Sequence, residues 1–352
     1  MRIQQIQLER FKQFKDYTLV LEASPYDSTN VTLLIGDNGR GKSTVLQAIA
    51  ATLATATRQL ETPEQLEWAG FLPEGLSANH RGYFEVRLTV EFTEQELKAT
   101  RRFYERSDYS TLADAVPPKD AHSVALVWTN NPKRKYPVST DPMGAGYFYQ
   151  FQGRRYAYNL LSNRQAQEER MFKQIGGIFW YTEQRTSYSL TPFLPEQSKP
   201  NSKSTVQPVE TEQAMRNLFV RWFATAPHKV KLFNDYYNRL FMGKHLARIE
   251  DVYGATITPV YFNDGVHDYD VSELSAGERA IIPILLDFVE WDINHSVILI
   301  DELELHLHPP LQQALLMLLP QLGTHNQFII TSHSEAVASL MDANAIRLVG
   351  EA

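Results

Sequence analysis

The sequence has no cysteine among its 352 residues. That removes disulfides, thiolate zinc sites and cysteine nucleophiles together. No stretch approaches the ~18 apolar residues of a membrane span, so no membrane role is expected. The opening MRIQQIQLERFKQFKDY alternates and is charged, unlike a signal peptide, and a cytoplasmic protein is expected. An excess of positive charge is also missing: 34 Lys+Arg face 41 Asp+Glu, a formal net charge of −7. A general basic coat for nucleic acid is thereby excluded, but a local basic groove is not. Internal repeats and sustained heptads are absent too. What remains is an ordinary globular balance, 43% hydrophobic and 21% charged, sufficient for a large core and two or three compact units.

Hydrophobic periodicity places the elements. Ile3, Ile6, Leu8, Phe11 and Phe14, then Tyr17, Leu19 and Leu21, read as strands. Val31 to Ile35 is a continuous apolar, β-branched run, as in a parallel strand buried on both faces. VLQAIAATLATATRQL follows as a helix. Residues 82–92 and 122–128 alternate with period 2 like half-exposed antiparallel strands, with a charged helix over 94–109 between them. Residues 130–170 are polar and aromatic without a clear period. Gly176 to Tyr181 reads as a strand, and 187–209, rich in Ser, Pro, Lys and Gln, as a loop. Leu218 with Trp222, and Phe233, Tyr236, Tyr237, Leu240 and Phe241, mark two amphipathic helices. A hairpin turns at Asn263-Asp264-Gly265. The end alternates helix (278–291), strand (297–300), helix (310–319), strand (328–330) and helix, an α/β pattern.

Residues Gly36 to Ser43 fit G-x-x-x-x-G-K-[ST] in full, between a buried strand and a helix, which is the context this motif requires. Glycines allow a tight turn whose N–H groups point at phosphate oxygens, and the helix N-terminus adds partial positive charge. Lys42 is placed to reach the β- and γ-phosphates, and Ser43 to give an oxygen to Mg²⁺. Gly36, Asn38, Gly39, Gly41 and Thr44 complete the expected nucleotide-binding set.

A phosphate loop needs an acidic partner strand, and VILIDE supplies one. Asp301 is expected in the Mg²⁺ shell, and Glu302 is placed to orient or deprotonate the attacking water. Leu274-Ser275-Ala276-Gly277-Glu278 opens a helix, where Ser275 and Gly277 form a second anion site. Because the chain already has its own phosphate loop, this site is most useful facing the nucleotide of another subunit. His333, in Thr331-Ser332-His333-Ser334, is a candidate donor to a γ-phosphate. Gln184, in YTEQRTS, is a candidate for Mg²⁺ or the water, with Arg185 as its rival. His306 and His308 read either as a metal pair or as a turn leading into a helix at a subunit contact. Lys133-Arg134-Lys135 and Arg154-Arg155 read either as phosphate contacts or as solvated faces.

Together these residues resemble the ATP-binding cassette ATPases of the SMC/RecF/OLD branch. The opening I-x-x-I-x-L-x-x-F-K-x-F (Ile3, Ile6, Leu8, Phe11, Lys12, Phe14), GDNGRGKST, LSAGE, LIDELELHLHP and TSHS carry the likeness over about 1–60 and 175–350. It implies an α/β P-loop NTPase head with a mixed sheet, an antiparallel β subdomain and a helical insertion. The division expected is 1–60 with the phosphate loop, 61–175 as β and insertion region, 176–270 as helical lobe, and 271–352 completing the head. It further implies a homodimer, or a larger even oligomer, with two ATP and Mg²⁺ sandwiched between copies, and Glu304 to His308 crossing the interface.

The chain is similar in particular to compact bacterial defence ATPases, OLD-like or Septu-type, which work with nucleases. Full-length members carry a carboxylate-rich nuclease domain near this end, whereas only residues up to Ala352 follow His333. Any cutting is therefore expected from a separate nuclease or effector subunit. Leu303 stands where many cassette ATPases have proline, and Ala276 and Glu278 replace the Gly and Gln of transporters. Those departures disfavour a transporter motor. A RecF-like repair ATPase that binds DNA directly is the alternative.

Overall fold

The computed structural model describes residues 1–21, 30–77, 81–162, 169–183, 208–250 and 258–350. The alternating N-terminus forms a hairpin of β1 (Arg2–Phe11) and β2 (Phe14–Val20), with Ile6 opposite Leu19 and Leu8 opposite Tyr17. Next come β3 (Val31–Ile35) and α1 (Lys42–Ala56). Then follow β4 (Glu85–Glu91), α2 (Glu94–Arg106), β5 (Ser123–Thr129), β6 (Val138–Asp141), α3 (Ala145–Tyr149), α4 (Gly153–Ser162) and β7 (Ile178–Tyr181). The second half contains α5 (Pro208–Thr225), α6 (Pro227–Leu240), β8 (His245–Ile249), β9 (Val260–Asn263), β10 (Asp268–Asp270) and α7 (Ala276–Trp291). It ends with β11 (Val297–Ile300), α8 (Pro309–Leu318), β12 (Gln327–Thr331), α9 (Glu335–Ala338) and β13 (Ile346–Leu348).

Two five-stranded sheets enclose α1. One is antiparallel in the order β2-β1-β4-β5-β6, and draws its first two strands from the N-terminal stretch. The other is parallel, β13-β3-β12-β11-β7. Every residue of α1 except Ser43 is buried, because the helix packs on both sheets. An apolar helix with no polar face requires such a place. The parallel strands divide their side chains between two cores. Ile178, Val297, Leu299 and Ile329 face α1 and the antiparallel sheet. Phe179, Tyr181, Ile298, Ile300 and Ile330 face the core built with α5 to α8. This is why these runs are apolar at every position. A three-stranded sheet, β10-β9-β8, completes the helical lobe.

The aperiodic stretch 130–170 resolves into β6, α3 and α4, all short. Neither reading of Arg154 survives: it is 3% exposed, stacked at 5.1 Å on both Phe172 and Phe179, and donates to the Trp291 carbonyl at 3.3 Å. Burial pulls its guanidinium down to about 9, partly offset by Asp292. It sits neither on a phosphate site nor on a solvated face, because its stem and ring plane fill an aromatic slot. His308 caps α8 just ahead of Pro309 and Pro310, so the two histidines belong to a turn leading into a helix. No cluster of three or more His, Cys, Asp or Glu side chains able to hold a metal ion is present among the described residues.

Candidate nucleotide site

The turn from β3 into α1 depends on two glycines. Gly36 has φ 150°, and a Cβ there would lie 2.6 Å from the Val349 carbonyl oxygen. Gly41 caps α1 at φ 103°, and a Cβ would lie 2.2 Å from Gln13 Nε2 and 2.5 Å from Phe14 Cζ. The β1–β2 turn therefore presses directly on the phosphate loop. Gly41→Ala is expected to lower stability by about 2–5 kcal/mol, combining left-handed strain and overpacking. Gly39, also at positive φ but with open space beyond it, should lose only about 1–2 kcal/mol on the same change. Urea midpoints of the two variants check the difference.

Lys42 follows Gly41 and folds back, donating from Nζ to the carbonyls of Gly36 (2.8 Å) and Asp37 (3.0 Å). Burial lowers its pKa, while Asp301, Glu304 and Glu302 pull it upward. Ser43 Oγ donates to Asp301 Oδ1 at 3.0 Å. Asp301 also accepts from Thr331 Oγ1 at 2.5 Å and from Trp68 Nε1 at 3.3 Å. It is 3% exposed. The adjacent carboxylate and hydroxyl are the hard oxygen donors Mg²⁺ prefers, and a cation there would take its remaining ligands from phosphate and water. The residues present thus fit the ion.

Thr331 connects the two acids. Its hydroxyl donates to Asp301 and accepts from the Glu302 backbone N–H at 2.8 Å. Glu302 holds φ 47°, a left-handed turn for a non-glycine residue, and such strain is maintained only where surroundings demand it. Its carboxyl pKa is raised by burial first, then by Asp301, Glu183 and Glu304. The His333 backbone N–H donates to Glu304 Oε1 at 2.6 Å. Lys42, Ser43, Glu302, Thr331 and His333 line one cleft of about 700 Å³, together with Asn38, Gly39, Gly41 and Thr44.

The far wall of that cleft, residues 68–75, has no sequence signal. Lys12 Nζ donates to the Gly70 carbonyl at 2.8 Å and to Gln47 Oε1 at 2.6 Å. Gln47 in turn donates to the Ala69 carbonyl at 3.0 Å. Residues 68–75 are thereby fastened over the phosphate loop, with Gly70, Leu72 and Gly75 facing the cleft. Burial lowers the Lys12 pKa to about 8.

Ser275 and Gly277 lie elsewhere and do not line this cleft. Ser275 caps α7, and its N–H donates to Glu278 Oε2 at 2.8 Å in a reciprocal capping box. A Cβ on Gly277 would meet Leu311 Cδ2 at 3.2 Å and the His306 carbonyl at 3.5 Å. The signature turn is therefore packed on the run that continues from Glu302. Glu278 is 1% exposed and also accepts from Tyr237 (2.5 Å), Tyr269 (2.8 Å) and Lys244 (3.0 Å). Gln184 and Arg185 lie outside the described residues.

Residues 31–339 match a family model described as "AAA domain, putative AbiEii toxin, Type IV TA system". The chain belongs to this AAA family. A further AAA-domain model matches 1–60. The "Retron Ec83 probable ATPase" of Escherichia coli is 24% identical, with 99% of this chain and 71% of that protein covered. The "Retron Vc95 probable ATPase" of Vibrio cholerae serotype O1 biovar El Tor is 21% identical, over 99% and 74%. Among solved structures, the SmcHead bound to the C-winged helix domain of ScpA superposes with TM-score 0.55 at 15% identity, covering 98% of this chain and 94% of that one. The Smc head with an extended coiled coil, bound to the C-terminal domain of ScpA derived from Pyrococcus furiosus, gives 0.52 at 14%, over 98% and 92%. The fold is thus an SMC-type α/β head, and the AAA protein described here is an ATPase. No helix among its described residues is long and apolar enough to cross a membrane.

Proposed function

We propose that this AAA ATPase closes on a second copy of itself around ATP, opens on hydrolysis, and reports that state to a nuclease or other effector subunit in bacterial defence. The observation that carries the reading is the separation of its two anion-binding ends. The phosphate loop lines the cleft with Glu302 and His333, whereas Ser275 and Gly277 do not line it. A second copy can supply the missing signature turn to each cleft. The retron ATPases among its relatives support the defence setting.

In this reading Lys42 leaves the loop carbonyls for the β- and γ-phosphates. Ser43 and Asp301 hold Mg²⁺, which when bound neutralises phosphate charge. Glu302 takes a proton from water as its oxygen attacks the γ-phosphorus and the bond to the β-phosphate oxygen breaks. His333 donates to the γ-phosphate. Closure is favoured because the contacts of ATP with the second copy's Ser275 and Gly277 exist only in the closed pair.

Complementation tests the arrangement. Lys42→Ala and Ser275→Arg chains should each be inactive alone. Mixed together they should recover ATP turnover, because one composite site of the mixed dimer is intact. If mixing restores nothing while both variants fold and exchange subunits, the sandwich is wrong.

A further inference from the structure

The β5–β6 hairpin tip carries Lys133, Arg134 and Lys135, all exposed, in a chain of net charge −7. A solvated face normally interleaves both signs, but here no carboxylate of the described residues pairs with any of the three. The nearby Asp141 is occupied by Arg87 at 2.7 Å. Two contacts tie this tip to a pocket of about 340 Å³ between the hairpin, α3 and the end of α1. Arg134 Nη1 lies 3.5 Å from Met143 Sδ, and Lys135 Nζ lies 5.2 Å from the centre of the Tyr136 ring. Met143 and Tyr136 both line the pocket, and Tyr136 is 59% exposed. Across it, the exposed Arg58 guanidinium lies 5.4 Å from the centre of the Phe148 ring.

We propose that this pocket and hairpin bind a single-stranded nucleic acid, one base entering between Tyr136 and Phe148 while its phosphates lie on Lys133, Arg134 and Lys135. Aromatic faces and an arginine plane beside unpaired cations are what unstacked bases and their backbone require. A paired duplex keeps its bases stacked and could not fill the pocket without flipping one out. Glu61, the carboxylate on the rim, can accept from an exocyclic amine, so cytosine is a suitable probe base. The site lies beyond the far end of α1 from Lys42 and involves no residue of the ATP cleft. It goes beyond the sandwich reading and does not depend on it.

The test is fluorescence anisotropy without nucleotide. The full chain is titrated onto oligo(dC), oligo(rC) and a duplex, each about 20 nucleotides long so that a ~4–16-nucleotide site is covered. Single strands should bind at least about tenfold more tightly than duplex, and the dC and rC arms tell DNA from RNA. The triple variant K133E/R134E/K135E should weaken binding by more than about tenfold and flatten the logarithmic salt slope by about 2, roughly 0.7 per lost phosphate contact. Tyr136→Ala should weaken single-strand binding about fivefold or more, with the salt slope unchanged. Wild-type melting midpoints in both variants exclude misfolding. The proposal is overturned if the wild type binds neither form, if duplex binds equally well, or if Tyr136→Ala binds as the wild type does. Displacement by polyglutamate as readily as by oligonucleotide would also overturn it, in favour of an acidic protein surface.

Discussion

Glu302→Gln should reduce ATP turnover by roughly 10²–10⁴-fold, the usual contribution of a positioned general base, while ATP remains bound. The amide keeps the shape and hydrogen-bonding capacity of the side chain but cannot take a proton. Lys42, Ser43 and Asp301 are untouched, so the nucleotide should still enter and drive closure without being consumed. On the sandwich reading the variant accumulates as an ATP-bound dimer, visible by sizing with and without ATP. A variant that stays as monomeric with ATP as without it would refute closure, and one that turns over normally would remove Glu302 from its role. The wild-type pH profile bears on the same residue. Burial raises the Glu302 pKa, and Asp301, Glu183 and Glu304 add to this. A base acts only when ionised, so turnover should fall with decreasing pH above the ordinary carboxylate range.

The largest expected effect on stability lies at Glu278. Glu278→Leu removes the acceptor shared by Ser275, Tyr237, Tyr269 and Lys244, and should cost about 3–5 kcal/mol, as breaking a buried ionic network does. Burial alone would raise the Glu278 carboxyl pKa, but the hydrogen bonds from Ser275, Tyr237 and Lys244 outweigh it and bring the pKa to about 2. A carboxyl whose folded pKa is depressed contributes stability above its unfolded pKa and loses it as pH falls through the folded value. Urea midpoints of the wild type should therefore drop between about pH 5 and pH 2 more steeply than those of Glu278→Gln. Equal slopes would show that the network holds no charge-dependent stability.

These two residues also show where the sequence was informative. The place of Glu302 beside the phosphate loop was legible because the acidic strand and the loop are each contiguous patterns carrying their own geometry. The role of Glu278 was legible only as the far end of a four-residue pattern, Ser275 to Glu278, at a helix start. Its partners Tyr237, Lys244 and Tyr269 come from α6, the turn after it and β10, with no shared spacing. Trp68, which donates to Asp301 from 233 positions away, had no local signal for the same reason, nor did Thr331 as the bridge between the two acids. β13 is three residues long, and β6 and α3, with four and five residues, are nearly as brief, too short for a period to emerge. Arg154 misled because composition assigns charge to the surface, while its aromatic slot is assembled from residues far along the chain.

The neighbours of β3 have a consequence for how the molecule is made. Val31 to Leu34 pair with Phe328 to Thr331, Leu33 to Ile35 pair with Ile346 to Leu348, and Val349 N–H donates to the Ile35 carbonyl at 2.9 Å. The glycine turn is translated before β12 and β13, and within its own sheet β3 has no neighbour until β12 emerges. Such distant pairings form slowly. A nascent chain should therefore be unable to engage nucleotide until synthesis of these strands is complete, which keeps half-made copies out of any assembly that ATP governs.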